Sequence, residues 1–416
     1  MALAVGLAVC ACSQVPSTAG GAKPPSQTSA NLPPPAVPAP RPAVTQAPLA
    51  PGAAMAPSVT AGPLPSASAR ATTAALLLPL SGPSAGIGMA LFNAAQLALF
   101  EVGDNQFTLL PFDTKGNAEG AATAAQQAIA QHAEIILGPL FSGEAKAVAP
   151  LTRAAGIPMV ALTADRTAAG DNVYILGFLP GPQALRVADY ARSQNRTRLA
   201  VLAPANEYGR IVAEFLSNNL APLGGSLAGI EYYDPNGVDF SGPIKRLIKT
   251  DPRMPGDVGF DALLLPDEGQ RLRAVAAALA AQGVDTRQVK PLGTMLWEES
   301  KPGSEPALAG GWYAAPAAAG HADFDSRYAK AFGGKPPRLA SLGYDAAALA
   351  AVLARRTPHD YSAAVLTNPL GFAGVDGIFR LRPDGTNERG YAVMEVVSGG
   401  PAQEVAPAPA AFQAAY

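Results

Sequence analysis

The chain of 416 residues contains very little cysteine and histidine. Its two cysteines, Cys10 and Cys12, both lie near the N-terminus, so the rest holds no disulfide and no thiol chemistry. The three histidines, His132, His321 and His359, are far apart without metal-ligand spacing, and they read as surface or loop residues. Charge is scarce too: Asp, Glu, Lys and Arg make up 15% of residues, with a formal net charge of -2. No polybasic surface follows from that balance, which argues against nucleic acid as a partner. The apolar stretch over residues 1–9 is too short to span a membrane. A G-x-S-x-G elbow, an H-E-x-x-H pair and a P-loop are all missing. The adjacent acids Asp267-Glu268 and Glu298-Glu299 read as solvated faces. No enzyme, cofactor or metal is expected.

Glycine (42 residues) and proline (41) are abundant, and the chain is 49% hydrophobic. Fourteen of the prolines fall in residues 13–72, with no aromatic residue and only Lys23, Arg41 and Arg70 as charges. Such a stretch cannot bury enough apolar surface to offset the entropy of ordering, and it reads as a disordered linker. Spaced prolines stiffen it toward polyproline II, with a reach on the order of 100 Å. Residues 1–12 resemble a signal peptide ending in a bacterial lipobox. No Lys or Arg precedes the apolar run, so the true start is expected upstream. In Val9-Cys10-Ala11-Cys12-Ser13, Cys12 is the better lipidation site because small Ala11 precedes it. A lipid there would tether the protein to a membrane.

The fold is expected to begin near Thr73. Apolar runs of strand length (Ala74 to Leu80, Phe107 to Phe112, Glu134 to Leu137, Pro158 to Leu162) alternate with helical patterns (Gly86 to Val102, Glu119 to His132, and one opened by Ser142). That alternation predicts an α/β domain with a parallel sheet covered on both faces. A second series follows Phe178-Leu179-Pro180-Gly181. Its strands run from Leu199, Leu227, Ala262 and Pro291, and its helices from Gln183, Glu207, Phe240 and Leu272. Two series imply two similar lobes. Later, Phe324 to Phe332 and Ala340 to Arg355 look helical. Ile378 to Leu381 and Tyr391 to Val396 read as a hairpin around Pro383-Asp384-Gly385. The Ala/Pro-rich residues 398–416 are expected to be disordered.

Gly138 to Asp165 is the most informative segment: strand, Gly-Pro turn, Ser142 opening a helix, then another strand. Ligands of open α/β sheets bind at the carboxyl ends of strands, and a helix starting there favours anions. Ser142 is expected to cap the helix, to hold an anion with its hydroxyl, or both. Tyr208 opens a helix after the second lobe's first strand, where its ring either closes over a ligand or packs. Trp297 either lines the cleft or packs the hinge. Gly86-Ile87-Gly88 imitates a dinucleotide fingerprint, but Leu91 stands at its third glycine, so a glycine-rich turn facing a cleft is the better reading.

These pieces resemble the type 1 periplasmic binding fold of the Leu/Ile/Val-binding-protein group. The matching residues are Leu78-Pro79-Leu80-Ser81-Gly82, Asp113-Thr114, Gly138-Pro139 with Ser142, Gly156-Ile157-Pro158, Glu207-Tyr208-Gly209 and Gly343-Tyr344-Asp345-Ala346. The resemblance implies two Rossmann-like lobes joined by three hinge crossings around a central cleft. Residues 73–397 would form the domain. Lobe 1 would comprise 73–182 and 317–370, and lobe 2 would comprise 183–316 and 371–397. Ser142 and Tyr208 match ligand-contact positions of the transport branch. Thr163, Ala164 and Asp165 cover further contact positions, with Asp165 where the family has a threonine. The acid that pairs with a ligand ammonium would fall at Met295.

Within the group, Leu76 to Gly82, Asn93 to Ala98, Ile136 to Leu140 and Phe178 to Pro180 are most similar to the lipoproteins called penicillin-binding protein activators. That resemblance implies a non-enzymatic periplasmic lipoprotein, lipid-anchored to the outer membrane, which regulates a peptidoglycan synthase (a penicillin-binding protein) by contact. The missing ammonium partner and the long linker agree with it. The rival reading is the substrate-binding protein of an ABC importer, with a permease partner and a branched-chain or other small amino acid as ligand.

Overall fold

A computed structural model describes residues 72–103, 107–249, 257–355 and 359–412. Cys12 and residues 13–71 lie outside the described residues. The first lobe opens with β1 (Thr72–Leu78), α1 (Ala85–Val102), β2 (Phe107–Asp113), α2 (Ala118–Ala130) and β3 (Ile135–Leu137). It continues with α3 (Ser142–Ala155), β4 (Met159–Ala161) and β5 (Val173–Ile175). These strands form one parallel sheet in the order β2-β1-β3-β4-β5. The strands are short and apolar because both faces are covered. Leu76, Leu78, Ile135 and Leu137 point into one core, and Ala75, Leu77 and Ile136 into the other.

The second lobe starts with α4 (Pro180–Ser193), β6 (Arg198–Pro204), α5 (Glu207–Asn219), β7 (Ser226–Tyr233) and α6 (Ser241–Leu247). There follow β8 (Ala262–Leu264), α7 (Gly269–Ala281), β9 (Lys290–Gly293), the one-turn α8 (Leu296–Glu299) and β10 (Trp312–Ala315). The chain then returns to lobe 1 through α9 (Ala318–Phe332), α10 (Ala340–Ala354) and α11 (Ala363–Leu366). Helix α10 is apolar nearly all round, and it packs with α1 over the first sheet.

The last elements correct the expected hairpin. β12 (Gly377–Leu381) pairs with β11 (Phe372–Gly374) and with β13 (Asn387–Arg389), whereas β14 (Ala392–Glu395) joins the second lobe's sheet antiparallel to β10. Period-two alternation marked both segments as strands, but only tertiary packing decides which sheet each one joins. The three-stranded sheet belongs to lobe 1, because Phe379 and Leu381 lie in that lobe's core and Asn387 donates to the carbonyls of Ile175 and Gly177. The second lobe therefore resumes near residue 391 rather than 371. Three crossings join the lobes, at 177–180, 315–318 and 389–392. The tail is also not wholly disordered: β15 (Gln403–Ala406) pairs with β14 and extends the second sheet to seven strands, β15-β14-β10-β9-β8-β6-β7.

Candidate functional site

In sheets of this kind, ligands sit where the strand order reverses. The reversal lies between β1 and β3 in lobe 1, and between β6 and β8 in lobe 2. The loops leaving those strands are where a ligand is expected in such a fold. Gly138 closes β3 with φ +89°, and a Cβ there would lie 2.2 Å from the Leu77 carbonyl oxygen, so only glycine fits the turn. The loop after β1 is held by Asp113, whose Oδ1 accepts from the N–H groups of Leu80 (2.9 Å), Ser81 (3.2 Å) and Lys115 (2.8 Å). Burial acts to raise the Asp113 pKa, but these hydrogen bonds outweigh it and hold the carboxyl below its ordinary value. The fingerprint-like Gly88 has a packing role: a Cβ there would overlap the Pro79 carbonyl, on which α1 rests.

Ser142 is the first residue of α3, and Phe141 rather than Ser142 occupies the N-cap position. The expected capping role is filled from inside the helix. Buried Glu144 accepts from the Phe141 N–H (3.2 Å) and from the Thr114 hydroxyl (2.6 Å). Its carboxylate thus occupies part of the electropositive helix start that was expected to await an external anion. Burial pushes the Glu144 pKa up against both hydrogen bonds. Beyond β4, Thr163 is buried and its Oγ1 accepts from the Asp165 N–H at 3.1 Å. Asp165 is ion-paired with Lys146 at 2.9 Å and accepts from Thr167 N and Oγ1. Exposed Ala164 and half-buried Asp165 face Glu207, Ile211 and Phe215 of α5 across a cavity of about 700 Å³ between the lobes.

In lobe 2, half-buried Tyr208 shares a 2.8 Å hydrogen bond with the fully buried Thr294 hydroxyl, and burial raises the phenol pKa. Met295 bonds through its N–H to Gln183 Oε1 at 3.0 Å, and its side chain packs against the cores of both lobes. Of the two roles expected for Trp297, lining the cleft or packing, the structure shows packing, in the core of the second lobe. Trp297 has no exposed surface, donates its Nε1–H to the Leu265 carbonyl at 3.1 Å and packs at a tilt against Tyr313 in the second lobe's core. Two of the four acids, Asp267 and Glu298, depart from the solvated reading, whereas Glu268 and Glu299 are exposed. Asp267 is buried, accepting from Tyr233 and from Arg271 Nη2 at 2.6 Å. Glu298 approaches Arg338 at 3.7 Å across the lobes, and burial raises its pKa while Arg338 opposes.

Sequence reasoning missed the cluster that joins the lobes. Arg338 pairs with fully buried Asp376 at 3.1 Å, and His321 Nδ1 contacts the same carboxylate at 3.1 Å. His321 is therefore buried, not a surface residue. Burial acts to raise the Asp376 pKa, but His321 and Arg338 outweigh it and keep the group acidic. Arg389 is buried between Phe178 and Phe379, with Asp345 Oδ2 at 3.4 Å and the Leu176 carbonyl at 3.1 Å. Burial lifts Asp345 to a pKa of about 6 despite Arg389. Several polar atoms here are buried without a well-formed hydrogen bond: Arg338 Nε and Nη2 (Nη2 at ion-pair distance from Asp376), Arg389 Nε, the Tyr391 hydroxyl, Asp376 Oδ2 and Asp325 Oδ1. Arg338 follows a Pro-Pro pair and Arg389 ends a short polar strand, so both look like surface arginines in sequence. Among the described residues, no group of three His, Cys, Asp or Glu side chains is arranged to hold a metal ion.

The periplasmic binding protein family model matches residues 72–401. The chain belongs to the periplasmic binding protein family. Members are in general ligand binders rather than enzymes, and membership implies a periplasmic location. An uncharacterized protein of Rickettsia prowazekii (strain Madrid E) is 24% identical over 162 residues, which is 39% of this chain and 43% of that protein. The match therefore spans less than half the length of that relative. Among solved structures, a putative branched-chain amino acid ABC transporter protein from Rhodospirillum rubrum superposes with a TM-score of 0.69 at 21% identity, covering 80% of this chain and 100% of that one. The substrate-binding protein LivJ from Streptococcus pneumoniae, in complex with isoleucine, gives 0.56 at 18% identity (81% and 100% covered). A solute-binding protein from Rhodopseudomonas palustris, in complex with 3,4-dihydroxybenzoic acid, gives 0.58 at 18% identity (83% and 98%). At these identities the likeness establishes a shared fold.

Proposed function

We propose that this periplasmic binding protein is the solute receptor of an ABC importer, and that its cleft takes a small organic carboxylate rather than an α-amino acid. The observation that carries this is a pair of buried guanidinium groups at the junction of the lobes, whose Arg338 Nε and Arg389 Nε make no hydrogen bond, beside the Tyr391 hydroxyl. Leaving such donors unpaired is costly, and a carboxylate oxygen is the acceptor that suits a guanidinium. An ammonium finds less: the unbonded buried acceptors here, Asp376 Oδ2 and Asp325 Oδ1, belong to carboxylates already paired with Arg338, His321 and Lys335. Met295 stands where the transport branch has its acid, Glu298 faces Arg338, and Asp267 is committed to Arg271 and Tyr233. Structural neighbours include receptors in complex with 3,4-dihydroxybenzoic acid, 4-hydroxybenzoate and benzoate, which are carboxylates without an amino group. Ser142, Thr163, Ala164, Asp165, Tyr208 and Met295 would border the ligand. A thermal-shift panel of benzoates, 2-oxo acids and branched-chain amino acids tests the reading. Carboxylates are expected to stabilise the native protein and not Arg338→Gln. Stabilisation by leucine or valine alone would overturn it.

A second reading is supported by the resemblance of Leu76 to Gly82 and of Ile136 to Leu140 to penicillin-binding protein activators, and by the proline-rich residues 13–72. There the protein would be lipidated at Cys12, held to the outer membrane and regulate a peptidoglycan synthase by contact. Purified full-length protein would then retain a bifunctional glycosyltransferase/transpeptidase in a pull-down and raise its rate. Failure of both would remove this reading.

A further inference from the structure

We propose that residues 403–412 form a clip which joins the lobes outside the three crossings and limits how far the cleft opens. The segment starts on lobe 2, where β15 pairs with β14 in the register Glu395↔Gln403, Met394↔Glu404 and Val393↔Ala406. It then runs over the third crossing. Arg186 of α4 donates to the Pro407 carbonyl (3.1 Å) and to the Tyr391 carbonyl (2.9 Å), fastening the segment to the strand beneath it. Pro409 lies over Gly390, where a Cβ would come within 3.1 Å of its ring. The segment ends on lobe 1. Phe412, 8% exposed, sits with its ring 4.6 Å from the Arg380 guanidinium of β12 and close enough to Gly371 that a Cβ there would lie 2.9 Å away.

Between the two anchors run Pro407-Ala408-Pro409-Ala410-Ala411. Two prolines in five residues make this a stiff spacer with little slack. A cavity of about 890 Å³ lies beneath it, lined by Arg186 and Tyr391 on the lobe 2 side and by Arg382 on the lobe 1 side. Any rotation of the lobes about the crossings changes the distance from β15 to the Phe412 pocket. A stiff spacer resists that change, so the clip holds the hinge near the arrangement seen here and its span limits opening. The proposal rests on the protein opening and closing as a binding protein, and it requires no particular ligand.

The test is a pulsed electron-resonance distance measurement on the full chain without added ligand. Cys10 and Cys12 are changed to serine, and spin labels are placed at Thr123→Cys on α2 and Asn218→Cys on α5, both exposed positions. Phe412→Ala, and separately termination after Ala406, are expected to move the inter-lobe distribution to longer distances and broaden it about twofold, as a released hinge would. Distributions that superimpose on the parent's, in variants with native circular dichroism, overturn the clip. If Phe412→Ala does not fold, Arg380→Gln, which leaves the ring in place, decides by the same shift. A cleft-ligand panel that fails while the distances shift would refute the carboxylate reading and leave the clip standing.

Discussion

Replacing Trp297 with alanine separates a packing role from a ligand role, because the two make opposite predictions. The indole is fully buried, donates to the Leu265 carbonyl at 3.1 Å and lies against Tyr313 with ring centroids 6.0 Å apart. Removing a fully buried aromatic side chain costs about 3–5 kcal/mol through lost transfer energy and the cavity left behind. The Leu265 carbonyl also loses one of its two donors, keeping the Asp267 N–H, which adds roughly 1 kcal/mol. At about 2 °C per kcal/mol for a domain of this size, the melting temperature should fall by roughly 8–12 °C. Urea denaturation should show a lower midpoint, while ligand affinity at 10 °C, where the variant remains folded, should stay within about twofold of the parent, because less than 0.5 kcal/mol is at stake there. Trp297→Phe should lose about half as much stability, since most of the ring volume is kept. A variant of unchanged stability that no longer binds ligand would refute the packing argument.

Three further outcomes follow from the same geometry. Tyr208→Phe leaves the buried Thr294 hydroxyl unpaired and should cost about 1–3 kcal/mol in denaturant titrations. Glu144→Ala should cost about 2 kcal/mol or more, because Phe141 N–H and Thr114 lose their acceptor, whereas Glu144→Gln should recover most of that at pH 7. Asp345 carries the pH signature: its folded pKa of about 6 lies above the ordinary carboxylate value, so the folded state binds the extra proton. Its contribution is full below pH 4 and declines as pH rises toward about 6. Asp345→Asn should flatten that slope in a pH series of melting temperatures.

Most of the fold was legible in the sequence because the strands of both lobes are short apolar runs separated by helices with clear starts. Ala74 to Leu78 and Ala262 to Leu264 could be nothing but buried strands once Gly and Pro punctuation bounded them. The last forty residues were harder. Tyr391 to Val396 alternates like a hairpin arm, yet its partner is β10, some eighty residues earlier in the chain, and nothing local encodes that pairing. The Ala/Pro-rich tail looked disordered because β15 is ordered only by pairing with β14, and Phe412 only by packing against Gly371 and Arg380. The site was half legible. Ser142, Thr163 and Tyr208 follow strand ends that the pattern located. Arg338, Arg389, Asp376 and His321 come from separate elements and form a cluster only through the crossings, so no spacing could have announced them.

Isothermal calorimetry with one matched pair of ligands tests the central claim most directly. Leucine and 4-methyl-2-oxopentanoate share a side chain and a carboxylate and differ in the ammonium. The account predicts saturable binding of the oxo acid, at least tenfold tighter than leucine (about 1.4 kcal/mol), and loss of that binding in Arg338→Gln. Leucine binding as tightly as the oxo acid, or oxo-acid binding that survives Arg338→Gln unchanged, would contradict it.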